Sequence, residues 1–149
     1  MSIVYRSPNT NDEFEKYFKF RWEILRKPLG LALGSEQDRF DTTAFHIAAF
    51  KNQNIIGVGR IQIENDKTSR IRYMAVDEKF RMQGVGSCML NELEAISYNH
   101  SIQICWLYAR DKAVKFYLKN NYEVNGIADS ELEIPHQRMQ KTLSPSLAL

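Results

Sequence analysis

Cysteine is scarce in this chain. Cys88 and Cys105 stand alone and far apart, without the paired spacing that holds a metal. That argues against a disulfide framework or a zinc site, and both thiols read as small buried hydrophobes in a reducing cytosol. Long apolar runs are missing too. No stretch approaches the roughly 20 residues that span a bilayer. The opening MSIVYRSPNTNDEF has no cationic flank leading into an apolar run, so no secretory leader is expected and the expected location is cytoplasmic. Proline is confined to Pro8, Pro28, Pro135 and Pro145, and no linker rich in glycine, serine or proline divides the chain. A single domain over 1–149 is expected, with 144–149 as a loose tail. Charge of one sign is also lacking. Twenty basic against 18 acidic residues leave +2, too balanced for nucleic acid or an anionic membrane as the main partner.

What is present suits a globular core: 44% hydrophobic residues, including eight Phe, seven Tyr and two Trp. The segment Ser2 to Arg6 alternates weakly, as a strand does. Asn9 or Thr10 can cap a helix in which Phe14, Phe18, Trp22 and Leu25 share one face. Pro28 and Gly30 end it, and a loop follows with a short helical turn after Ser35. Ala44 to Phe50, Ile55 to Glu64 and Arg70 to Val76 then read as three strands of an antiparallel meander. Val85, Met89, Leu93 and Ile96 mark a helix that begins after Gly84. Ile102 to Ala109 has the unbroken apolar character of a central strand. Ala113, Phe116 and Tyr117 form the inner face of a shorter helix ending near Asn120, and Tyr122 to Val124 and His136 to Leu143 are the last strands. The order β-α-β-β-β-α-β-α-β-β gives an α/β fold with a mixed sheet.

Chemistry concentrates where the strand ending at Val76 meets the helix after Gly84. Gly84 and Gly86 let backbone approach a ligand closely. The first amides of the helix point into the same space, backed by the positive end of its dipole. Arg81 adds a full charge. A pyrophosphate suits this anion site, but neither a Walker loop nor the three-glycine Rossmann pattern is present.

Arg81-x-x-Gly84-x-Gly86 resembles the acetyl-CoA signature of the GNAT family of N-acetyltransferases, Arg/Gln-x-x-Gly-x-Gly/Ala. A second family element, Ala-x-x-Phe-Tyr before Gly-Phe, is matched by Ala113-Val-Lys-Phe116-Tyr117, with Asn121-Tyr122 in place of Gly-Phe. Asn tolerates the left-handed conformation and Tyr keeps an aromatic plug. The resemblance is motif-specific from about residue 70 to 123 and follows the element order over nearly the whole chain.

The resemblance implies a mostly antiparallel sheet of about six to seven strands with about four helices, splayed at the acetyl-CoA site. It implies transfer of acetyl from acetyl-CoA to a primary amine by direct attack, without an acyl-enzyme or a metal. The cofactor would be held by Met74, Ala75 and Val76, by Arg81, Met82, Gln83, Gly84, Val85, Gly86 and Ser87, and by Arg110, Ala113 and Phe116. The amide of Val76 would face the thioester oxygen, and Tyr117 would be the general acid. The base stays open among His136, Glu64, His46, Asp77 and Glu133, or water. Arg26 to Ser35 would build a mobile acceptor lid. An acyl-CoA-binding regulatory domain without turnover and a plain interaction module are the competing readings. A homodimer paired through the HQRMQKTL strand is also expected.

Overall fold

The computed structural model describes residues 2–128 and 134–144. Glu133 and positions 145–149 of the expected tail lie outside the described residues. Seven strands form one sheet: β1 (Val4–Arg6), β2 (Phe45–Lys51), β3 (Asn54–Ile63), β4 (Thr68–Val76), β5 (Ile104–Arg110), β6 (Glu123–Ala128) and β7 (His136–Thr142). The helices are α1 (Asn11–Leu25), α2 (Val85–Asn99) and α3 (Val114–Lys119), so among the described residues three α-helices and four short 3-10 turns stand where about four helices were expected.

The strands lie in the order β1-β2-β3-β4-β5-β7-β6, with only β4 and β5 parallel. One face packs Ala48, Phe50, Val58 and Ala75 against α1. The other packs Ile47, Ile61, Ile71 and Leu107 against α2. The chain returns β7 between β5 and β6, so its last strand is interior and the free edges are β1 and β6. The expected pairing of copies through β7 is therefore excluded: both of its edges are already hydrogen-bonded.

Helix α1 departs from its predicted face. Thr10 caps it, its hydroxyl accepting from the Glu13 N–H at 3.1 Å. Yet its fully buried residues are Tyr17 and Arg21, while Phe14, Phe18, Trp22 and Leu25 are only partly covered. A buried guanidinium needs counter-charge, and the loop after α1 supplies it. Arg21 donates to Asp41 Oδ1 at 3.0 Å and to the Glu36 carbonyl at 2.9 Å. Arg60 of β3, also fully buried, donates to Asp41 Oδ1 at 3.1 Å and to Asp38 at 2.6 and 3.1 Å. Burial raises the Asp38 pKa, but the Arg60 hydrogen bond and charge outweigh that and hold it below the ordinary value.

The feature that opens the site is a bulge. Val58 pairs with Ala75 and Arg60 with Arg72, so Tyr73 and Met74 of β4 together oppose Gly59 of β3. Pairing of β4 with β5 covers only Thr68–Ile71 against Ile104–Leu107. Beyond it the two strands part, and β5 runs on along β7 to Arg110. Among the described residues, no helix is long and apolar enough to cross a membrane and no cluster of three metal-ligating side chains occurs. Cys105 is buried as expected, but Cys88, in the first turns of α2, is exposed.

Candidate active site

The parting of β4 and β5 leaves a cleft of about 550 Å³. Met74, Ala75 and Val76 form one wall, and Ala109 and Arg110 the other. The N–H of Asp77 donates to the Ile56 carbonyl at 2.8 Å. In an antiparallel ladder the next pair, Val76 and Gly57, is then the non-bonded kind, which turns the Val76 N–H away from β3 and toward the gap.

At one end of the cleft lies the start of α2. Gly84 is its N-cap with φ 83, and the amides of Val85, Gly86 and Ser87 precede the first helical hydrogen bond, from Cys88 to the Gly84 carbonyl at 3.0 Å. Met82 also takes a positive φ, 65°, and is 95% exposed. Arg81, Met82 and Gly84 to Ser87 all line the cleft, whereas Gln83 does not and its side chain donates to the Lys79 carbonyl at 3.2 Å. A Cβ on Gly86 would stand 3.0 Å from the Phe116 ring, so this glycine serves helix packing as well as ligand approach. Lys112 and Lys119 add charge to the same cleft. No sequence motif marks them: Lys112 sits in the short 3-10 turn before α3 and Lys119 at the end of α3.

Ala113, Phe116 and Tyr117 reach the cleft from α3 and the turn before it. Tyr117 packs on Phe116 and Tyr122 with ring centroids 5.0 and 5.6 Å away. Burial pushes its phenol pKa well up, with Cys105 adding to the shift. The helix ends as the motif requires: Asn121 adopts φ 71, and the Tyr122 N–H returns to the Tyr117 carbonyl at 3.0 Å.

The candidate bases separate. His136 lines the cleft, and its Nδ1 stands 2.7 Å from the Ile134 carbonyl. A carbonyl only accepts, so Nδ1 carries a proton and Nε2 of the neutral ring keeps its lone pair. Glu64 directly follows β3, seven residues on from Gly57 and about 23 Å away at strand rise. It accepts from Trp106 Nε1 at 2.6 Å and is not part of the cleft. His46 is buried between Tyr17 and the Asp41 carbonyl, at 2.9 and 2.8 Å. Asp77 accepts from the Lys79 N–H at 2.9 Å and caps a turn.

Arg110 lines the cleft but is also structural. Its Nη2 donates to the Leu25 carbonyl at 3.0 Å, tying the end of α1 to the end of β5. Burial lowers its pKa, and the nearby Arg26 lowers it further. The loop after α1, expected to be a mobile acceptor lid, carries several hydrogen bonds to α1 and within itself. Trp22 Nε1 donates to the Leu31 carbonyl at 2.9 Å, Arg26 Nε to that of Ser35 at 3.2 Å, and buried Glu36 accepts from the Gly34 N–H at 2.7 Å.

Comparison with known proteins agrees with this geometry. A curated acetyltransferase of Bacillus subtilis (strain 168), itself assigned only provisionally, is 26% identical over 127 residues, covering 83% of this chain and 86% of its own. An aminoglycoside 6'-N-acetyltransferase solved with coenzyme A superposes with a TM-score of 0.80 at 14% identity, over 97% of this chain and 98% of that one. The PaiA N-acetyltransferase of Thermoplasma acidophilum, also solved with coenzyme A, gives 0.76 at 18% identity over 95% and 99%. At these identities the two structures establish the fold. The profile of the acetyltransferase (GNAT) family matches residues 8–122. The chain belongs to that family and is an acetyl-CoA-dependent N-acetyltransferase.

Proposed function

We propose that the enzyme moves the acetyl group of acetyl-CoA directly onto a primary amine, within the cleft between β4 and β5. The observation that carries this reading is that one cleft is lined by the start of α2, the turned-out backbone of Val76, Tyr117 and His136. The amides of Val85 to Ser87, with Arg81, Lys112 and Lys119, would hold the diphosphate. Val76 would donate its N–H to the thioester oxygen as negative charge develops there.

In the transfer, the neutral amine attacks the acetyl carbon and its lost proton goes to His136 Nε2. The C–S bond then breaks, and the departing sulfur takes the Tyr117 proton. Neither cysteine is needed as a nucleophile. Burial pushes the Cys105 thiol up to about 12, and Cys88 is not part of the cleft.

The test is release of free thiol from acetyl-CoA in the presence of polyamines, aminoglycosides, free amino acids, and peptides with free N-termini or lysines. At least one class is expected to give amine-dependent thiol matched by acetylated amine in mass spectra. CoA binding without release for every class would contradict the reading and favour a binding domain.

A further inference from the structure

Tyr73 has no part in the chemistry above, yet the strand turns on it. Its φ of 59° is one that residues with side chains rarely hold. A glycine would adopt it freely, but here the position carries a large aromatic ring. That ring is caged by guanidinium groups: Arg21, Arg72, Arg60 and Arg26 lie 4.1, 4.7, 4.8 and 5.4 Å from its centroid. Its hydroxyl donates to Asp38 Oδ2 at 3.5 Å, and the same oxygen accepts from Arg60 and Arg72, each at 3.1 Å. Across the bulge, the Gly59 carbonyl accepts from the Tyr17 hydroxyl at 2.8 Å. A Cβ on Gly59 would stand 2.5 Å from Met74 Sδ, so the opposing strand is shaped for the bulge as well.

We propose that this arginine cage around Tyr73 is the device that keeps β4 bent away from β5, which makes Tyr73 a positioning residue for the transfer proposed above. Pairing of β4 with β5 stops at Ile71 and Leu107, just before the caged residue. Without the bulge, a slip of one residue would turn Met74 to Val76 over. The Val76 N–H would then face β3, and pairing with β5 would be free to extend into the cleft. The cage resists this because flattening the strand would pull the ring from among the guanidiniums and the hydroxyl from Asp38.

Two variants test it. Tyr73→Leu removes the ring; Asp38→Asn keeps its shape but weakens the hold on Arg60 and Arg72. The first readout needs no turnover: amide exchange of Val76 in the CoA-free protein. It is expected to slow at least tenfold in Tyr73→Leu as the strand closes, and by a smaller factor in Asp38→Asn. With an acceptor in hand, kcat of Tyr73→Leu is expected to fall at least tenfold while CoA affinity changes less than threefold, because the start of α2 lies outside the cage. Tyr73→Phe, which keeps the ring, should retain more than half of kcat. Val76 exchange unchanged in a folded variant would overturn the proposal. So would an Asp38→Asn protein with wild-type exchange and kcat if Tyr73→Leu does not fold. A wild type that binds CoA but acetylates no amine counts against the transfer instead, and the exchange readout still decides on the cage.

Discussion

Tyr117→Phe is expected to lower kcat by about 10²–10⁴-fold, the usual contribution of general acid catalysis. The thiolate of CoA leaves poorly unless it is protonated as the C–S bond breaks, and a neutral phenol can supply that proton. Burial raises the Tyr117 pKa, so its proton is held to higher pH than that of a free tyrosine, ordinarily about 10. The acid form therefore persists through pH 6–9, and loss of activity at the alkaline end of that range should not come from Tyr117. Phe preserves the ring contacts with Phe116 and Tyr122, which isolates the hydroxyl. KM for acetyl-CoA should change little, since the diphosphate is assigned to α2 and neighbouring cations. A variant keeping more than half of wild-type kcat across pH 6–9 would remove Tyr117 from this role.

The largest expected effect on stability comes from Asp41→Ala. Asp41 is the carboxylate shared by Arg21 and Arg60, both with fully buried side chains, and its own side chain is 7% exposed. Its other oxygen accepts from the Asp38 N–H at 2.9 Å, so the residue also holds the loop that carries Asp38. Removing one partner of a buried pair leaves uncompensated charge, at a cost of about 3–5 kcal/mol. That corresponds to a fall in Tm of about 10 °C or more for a chain of this size. Asp41→Asn keeps the hydrogen-bonding shape and should lose less. Thermal unfolding followed by circular dichroism measures both, and equal, small shifts would mean that the network contributes little.

The two parts of the site differ in how far the sequence revealed them. The motifs at Arg81–Gly86 and Ala113–Tyr117 are local: each places its functional groups within a turn or two of helix, so spacing alone locates them. The left-handed Asn121 is legible for the same reason. The bulge is not. Tyr73 sits in the run Arg70 to Val76 with no glycine to mark a positive φ, and the contacts that hold it come from α1, its following loop and β3. Nothing local marks Arg21 and Arg60 as buried, because Asp38 and Asp41 lie 22 and 19 residues from Arg60, and Asp41 lies 20 from Arg21. Only the fold brings them together. Insertion of β7 beside β5 is likewise non-local, and it is what brings His136 opposite Arg110 at the cleft. Glu64 failed as a site candidate for the converse reason: a polar residue ending a strand says nothing about which end of the sheet opens.

Titration of CoA into isotope-labelled protein, followed through backbone amide resonances, tests the central claim most directly. The account predicts the largest shifts at Val85, Gly86 and Ser87, with a second group at Val76 and along Tyr108 to Arg110. Residues at the far end of the sheet, around Glu64 and Trp106, should remain still. Saturable binding that moved the far end and left the amides of Val85 to Ser87 unchanged would contradict it.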